Sequence, residues 1–195
     1  MIKLTRPDCP NPRALEKGNY KHANNKEALR NAASGKCMYC ESKISHVDHA
    51  HIEHIKPKAA DKFPELEFVW SNLGYSCEIC NGHKHDKYIA DTPYIDPYAE
   101  NPEAHIVFHG WVLFPKNGSE RGELTITDLG LNRPELIEQR QERIEKFILA
   151  INACYRTNNE TLRNAALKSL GQEALPDKEY SYAILCTLKA HDIPL

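Results

Sequence analysis

His51-Ile52-Glu53-His54-Ile55-Lys56-Pro57-Lys58 and Cys77-Glu78-Ile79-Cys80-Asn81-Gly82-His83-Lys84 decide how the rest of this 195-residue chain is read. The second stretch carries a Cys-x-x-Cys pair, and an earlier pair, Cys37-Met38-Tyr39-Cys40, precedes the first. Thiolates at the two ends of such a turn reach one tetrahedral ion at about 2.3 Å, and two turns complete a shell of four sulfurs. Cys37, Cys40, Cys77 and Cys80 are therefore expected to hold a structural Zn2+ with no open position at which water could be activated. The stretch 41–76 between the pairs is longer than the loop of a compact zinc ribbon, so it must itself be structured, with its ends tied by the metal. Seven cysteines, an odd number, favour metal over disulfides when four of them fall in this pattern. Cys154 and Cys186 read as core fillers on helices, and Cys9 belongs to no pattern.

Outward from this block the chain changes character. Residues 1–36 hold Lys3, Arg6, Arg13, Lys17, Lys21, Lys26, Arg30 and Lys36 against Asp8, Glu16 and Glu27, a surplus of five positive charges in a chain of net charge -2. The basic footprint is N-terminal and the body is acidic. Because neutralising phosphates supplies most non-specific affinity for nucleic acid, such a body should hold a duplex weakly when isolated. Pro7, Pro10 and Pro12 suggest an extended arm, followed by a short helix over 25–33 that Gly35 ends. After the cysteine-histidine block, Pro93 and Pro97 punctuate a connection over 91–98 that can be neither helix nor central strand.

Residues 105–108, 111–114 and 124–127 are short β-prone runs between glycine-bearing turns, which predicts a small antiparallel sheet or hairpin. Asn132 before Pro134 and Glu135 is a helix start, and Ile137, Ile144, Ile148, Ile151 and Tyr155 follow at helical spacing. Further helices are expected over 160–169 and, after an Asp177 cap, over 178–190. With 41% hydrophobic and 27% charged residues, the chain can bury one good core or a module packed against a helical domain. No run approaches the roughly 20 apolar residues of a membrane span, and no apolar signal core opens the chain, which predicts a cytoplasmic protein away from membranes.

In order and spacing, Glu53-His54 before Pro57, the central Trp70-Ser71-Asn72-Leu73 and the closing Cys80-Asn81-Gly82-His83-Lys84 resemble an HNH endonuclease. That resemblance implies an α+β fold: a ββα-metal module with the four-cysteine zinc site over 36–98, after a basic arm and short helix (1–35) and before short strands and C-terminal helices (99–195). It gives His54 the role of general base and Glu53 and Asn81 the catalytic Mg2+ or Mn2+. Asn72 would hydrogen-bond the loop that orients His54, and Lys84 would contact phosphate. The chemistry is coherent. A phosphodiester is anionic and repels hydroxide, so cleavage needs a base for the attacking water and a cation for the charge on phosphate and leaving oxygen. A strand over 52–55 turns adjacent side chains opposite ways, so Glu53 can face a metal while His54 faces water. Two protein oxygens leave the rest of the shell to water and phosphate, which suits Mg2+ or Mn2+.

Glu53 departs from the aspartate of many members of that family, and its extra methylene lengthens the reach to a metal. His51, on the strand face of Glu53, and His85, one helical turn from Asn81, are the two candidate extra ligands, whereas His46, His49 and His83 read as solvated.

The match extends through Ile95-Asp96-Pro97 and Leu129-Gly130-Leu131-Asn132-Arg133, which together with the earlier motifs resemble the HNH subunit of Septu-type and retron-associated anti-phage defence systems. This implies a partner ATPase of the AAA/ABC type that gates the nuclease, and a nucleic-acid substrate with DNA ahead of RNA. The chain has no Gly-x-x-x-x-Gly-Lys loop, so nucleotide sensing would fall to that partner. Two other readings are a zinc-stabilised binding scaffold without catalysis and a stand-alone restriction-type nuclease. The intact set Glu53, His54, Asn72 and Asn81 argues against the first. Against the second, Arg140, Arg143 and Lys146 are balanced by Glu138, Glu142 and Glu145 rather than forming a basic recognition helix.

Overall fold

Asn11 begins the first regular element of the computed structural model, which describes residues 1–44 and 50–193. Its side chain accepts from the Ala14 amide and starts α1 (Pro12–Glu16), and the His22 ring does the same for Asn24 at the head of α2 (Ala23–Ala32). Past α2, the Gly35 amide returns to the Arg30 carbonyl at a φ of +71°, which glycine alone adopts without penalty. The N-terminal segment is not a free arm. Leu4 bonds Pro97, Arg6 lies 4.1 Å over the Tyr98 ring, and Trp70 donates to the Pro7 carbonyl at 2.8 Å.

The central unit is β1 (Ala50–His54), β2 (Leu73–Cys77) and α3 (Glu78–Lys84). The strands are antiparallel, in a register that pairs Ala50 with Cys77 and His54 with Leu73, so the loop over 55–72 leaves and re-enters at one end. All five residues of β2 are buried, because α2 and α3 both pack on that strand. The first cysteine turn docks on the same strand: the Met38 amide donates to the Tyr75 carbonyl at 2.9 Å. A Cβ at Gly74 would stand 2.3 Å from the Met38 sulfur, so a larger residue there would have to push the buried Met38 side chain aside.

A second hairpin follows, β3 (Ile106–His109) and β4 (Val112–Pro115), with Ile106 opposite Pro115. The expected third strand over 124–127 is instead part of a helix, α4 (Glu120–Asp128). Ser119 caps it by accepting from the Gly122 amide, and Gly122, Thr125, Ile126 and Leu129 are buried at helical spacing. The tertiary surface offered to that face overrides the β-propensity of Leu124-Thr125-Ile126-Thr127.

Next come α5 (Pro134–Tyr155), α6 (Glu160–Gly171) and α7 (Ser181–Ala190). The long helix runs as its periodicity predicts, but its buried stripe is Leu136, Arg140, Ile144, Phe147 and Ile151, and Tyr155 is exposed. Asn132 is not its cap. The side chain bonds both backbone groups of Leu113, at 3.0 and 2.7 Å, and ties the helix entrance to β4. Asp177 does not cap α7 either, since the chain turns at Tyr180 with φ +50° and the helix begins one residue later. The mixed α/β architecture expected from the sequence is present, and no helix among the described residues is long and apolar enough to cross a membrane.

Candidate active site

His54 closes β1 at the mouth of the 55–72 loop and is 9% exposed. Its Nε2 lies 3.0 Å from the Glu67 carbonyl oxygen. A carbonyl only accepts, so Nε2 carries the proton and Nδ1 is left as the basic nitrogen. Burial lowers the imidazole pKa below its ordinary value, which favours the neutral ring. Tyr20, from the link between α1 and α2, packs against the ring in an edge-to-face contact at a centroid distance of 4.7 Å.

The loop that supplies the Glu67 carbonyl is closed by Asn72. The Asn72 side chain accepts from the Lys56 amide at 2.8 Å and donates to the carbonyls of Lys56 and Leu66 at 2.9 and 3.2 Å. The Asn72 carbonyl receives the Ile55 amide. One buried amide therefore spans both sides of the loop, one residue before the carbonyl that holds His54. From outside, Arg6 donates to the carbonyl of Trp70 at 3.0 Å and to that of Leu73.

Glu53 is 2% exposed, and burial raises its pKa despite the opposing pull of Lys84. Its Oε1 lies 2.7 Å from Lys84 Nζ and accepts from the Tyr39 hydroxyl at 3.2 Å. Lys84 is 1% exposed and also donates to the His54 carbonyl at 2.8 Å. This departs from the expectation that Lys84 meets phosphate. Lying at the C-terminal end of α3, against the strand, the ammonium is turned inward and joins Glu53 to the backbone of His54.

Two residues before Glu53 on the same strand, His51 brings its Nδ1 to 3.4 Å from Asn81 Nδ2. The oxygen and nitrogen of an amide are assigned by their bonding, so the carbonyl oxygen of Asn81 can be turned toward the same space as the imidazole. Glu53, His51 and Asn81 offer a carboxylate, an imidazole and an amide oxygen, a donor set that fits a divalent cation. These three and His54 line one cavity of about 690 Å3, together with Tyr20, Lys21, Lys26 and Lys58. His85 is on its rim, exposed, with its ring 2.7 Å from Asp86. His46 and His49 lie outside the described residues.

The Sγ atoms of Cys37, Cys40, Cys77 and Cys80 all fall within 4.8 Å of one another and are buried. That spacing fits one tetrahedral ion, and the chain's residues could hold one there. Among the described residues it is the only such group of three or more His, Cys, Asp and Glu side chains. Cys77 caps α3 through its sulfur, which accepts from the Cys80 amide, so the same turn that gathers the thiols starts the helix bearing Asn81 and Lys84. Arg133 brings its guanidinium to 3.6 Å from the Cys80 sulfur. It arrives on the Leu129–Arg133 turn, where Gly130 at φ +59° passes so close to His83 that a Cβ would stand 3.0 Å from the ring.

Neither Arg133, Tyr39 nor Tyr20 was identifiable as a site residue from sequence. Tyr39 lies inside the first Cys-x-x-Cys turn, but nothing local says that it reaches Glu53.

Residues 37–87, from the first cysteine to just past α3, match the family model for HNH endonuclease. The Septu protein PtuB of Bacillus thuringiensis is 31% identical over 216 aligned residues, covering 96% of this chain and 82% of that protein. A Vibrio cholerae protein named "Retron Vc95 putative HNH endonuclease" is 33% identical over 147 residues, covering 68% of this chain and 69% of its own. The Septu protein PtuB of Bacillus mycoides is 30% identical over 151 residues.

Proposed function

Since the chain belongs to the HNH endonucleases, in the family that contains the Septu and retron relatives, we propose that it is the nuclease subunit of an anti-phage defence complex, hydrolysing nucleic acid at the cavity beside His54. The observation that carries this reading is the bond from His54 Nε2 to the Glu67 carbonyl, which leaves Nδ1 as a base in a cavity shared with Glu53 and Asn81. His54 takes a proton from the attacking water at Nδ1 as the water oxygen bonds phosphorus and the bond to the leaving oxygen breaks. Asn72 holds the loop that fixes the ring. Glu53 and Asn81, with His51, would hold Mg2+ or Mn2+, which when bound offsets the charge on phosphate and leaving group. Lys84 acts as a positioning residue by neutralising Glu53 and anchoring the strand end. The four cysteines would hold Zn2+ as a structural ion.

The names of the relatives support the defence role, and the acidic body supports dependence on a partner that brings substrate and nuclease together, for which an AAA/ABC-type ATPase is the proposed candidate. DNA is the proposed substrate ahead of RNA. The test is affinity capture of the neighbouring gene product, then cleavage of plasmid and of tRNA by the complex in Mg2+ or Mn2+. Wild type should cut, and His54→Ala should lose on the order of 100-fold or more. Full metal-dependent activity in His54→Ala would show that another group is the base.

A further inference from the structure

The cavity is bordered by an aromatic ledge that the hydrolytic chemistry does not use. Tyr20 lines the cavity and touches His54, and the ring of Phe68 lies 6.2 Å from that of Tyr20 at a tilt of 46°. Phe68 is 38% exposed and its neighbour Val69 37%. Gly18, at φ +73°, backs the Phe68 ring, with its Cβ position 3.6 Å from the ring edge. One exposed phenylalanine is ordinary on a protein surface. Here it continues, through one tyrosine, to the group assigned as the base. Cations flank the same tyrosine: Lys58 Nζ is 4.5 Å from its centroid and Lys21 Nζ 5.6 Å. Lys58 shares its charge with Glu67, whereas Lys21 is exposed.

A ledge of two tilted aromatic rings between lysines and a hydrolytic cavity suits a ligand that is itself planar on one side and anionic on the other. We propose that Tyr20 and Phe68 form a stacking subsite for a nucleobase of the substrate, next to the phosphate that His54 addresses; the assignment rests on the nuclease reading above. Stacking is tolerant of base identity, so the subsite orients the strand without specifying sequence. Lys21 meets the adjoining backbone phosphate.

Fluorescence anisotropy of the intact chain with a labelled single-stranded DNA of about 12 nucleotides, in low salt with no added Mg2+ or Mn2+, tests the subsite separately from cleavage. Abasic sites are placed one position at a time. Wild type should lose on the order of 5- to 100-fold in affinity at one position. Phe68→Ala should lose as much on the intact strand and become indifferent to that abasic position, Phe68→Trp should keep wild-type behaviour, and Leu149→Ala, on the exposed side of α5, should change nothing. The subsite is overturned if Phe68→Ala binds like wild type, if it keeps the full abasic response, or if no oligonucleotide binds. Base-dependent binding by a wild type that never cuts in Mg2+ or Mn2+, alone or with its partner, would retire the nuclease reading and leave the subsite standing.

Discussion

The ammonium of Lys84 lies 2.7 Å from Oε1 of Glu53, and neither side chain is more than 2% exposed. Removing one member of such a pair strands a buried charge, which typically costs about 3–5 kcal/mol. Lys84→Met should therefore lose stability in that range in urea unfolding, and adding Glu53→Gln should restore part of it. A Lys84→Met protein less than about 1 kcal/mol weaker than wild type would mean that the pair is solvated.

Asn72→Ala removes three hydrogen bonds from the loop that carries the Glu67 carbonyl. Displacement of a catalytic group by about 1 Å can cost roughly 100-fold in rate. Cleavage kinetics should show a fall in kcat of that order with KM little changed. A variant altered only in KM would place Asn72 in substrate binding instead.

Elemental analysis should find about one zinc per folded chain, held by the four cysteines. Cys77→Ser with Cys80→Ser should lose both the metal and the cooperative melt, because the thiols join the loop start to the head of α3. Arg133→Leu should release zinc to a chelator faster than wild type, since it removes the cation 3.6 Å from the Cys80 sulfur. A fully folded, zinc-free wild type would sink the zinc assignment.

Glu41 should contribute to the acid sensitivity of the fold. Burial alone would raise its pKa, but the Met1 ammonium and Lys36 outweigh that and hold it at about 2, against an ordinary 4.5. A carboxylate depressed in the folded state stabilises fully above its unfolded pKa and loses that contribution as pH falls toward its folded one. Wild-type stability should drop as pH is lowered from about 4.5 toward 2. Glu41→Gln should be weaker at neutral pH and flatter across that window, as read by thermal melts at stepped pH. Parallel pH dependence in the two proteins would show that other carboxylates govern the acid limb.

The two cysteine turns, the strand ending in Glu53-His54 and the long helix after Pro134 were legible in the chain because their signals are local. A three-residue cysteine spacing, an alternating strand and a 3.6-residue period each declare themselves within one element. The run over 124–127 misled because its β-branched residues carry a weak preference that a capped helix packed on the hairpin overrules.

Sequence alone determined which chemistry-bearing residues the chain owns, their order, and that two distant thiol pairs could share one ion. Tertiary structure decided where they face: Lys84 inward on Glu53, Arg133 across to Cys80, Tyr20 onto His54, and the Glu67 carbonyl onto the ring that it orients. The physical reason is range. Motif spacing constrains directions within a turn or strand, whereas each of these contacts depends on how separate elements pack to bury apolar surface and satisfy polar groups, and no short stretch of sequence encodes that.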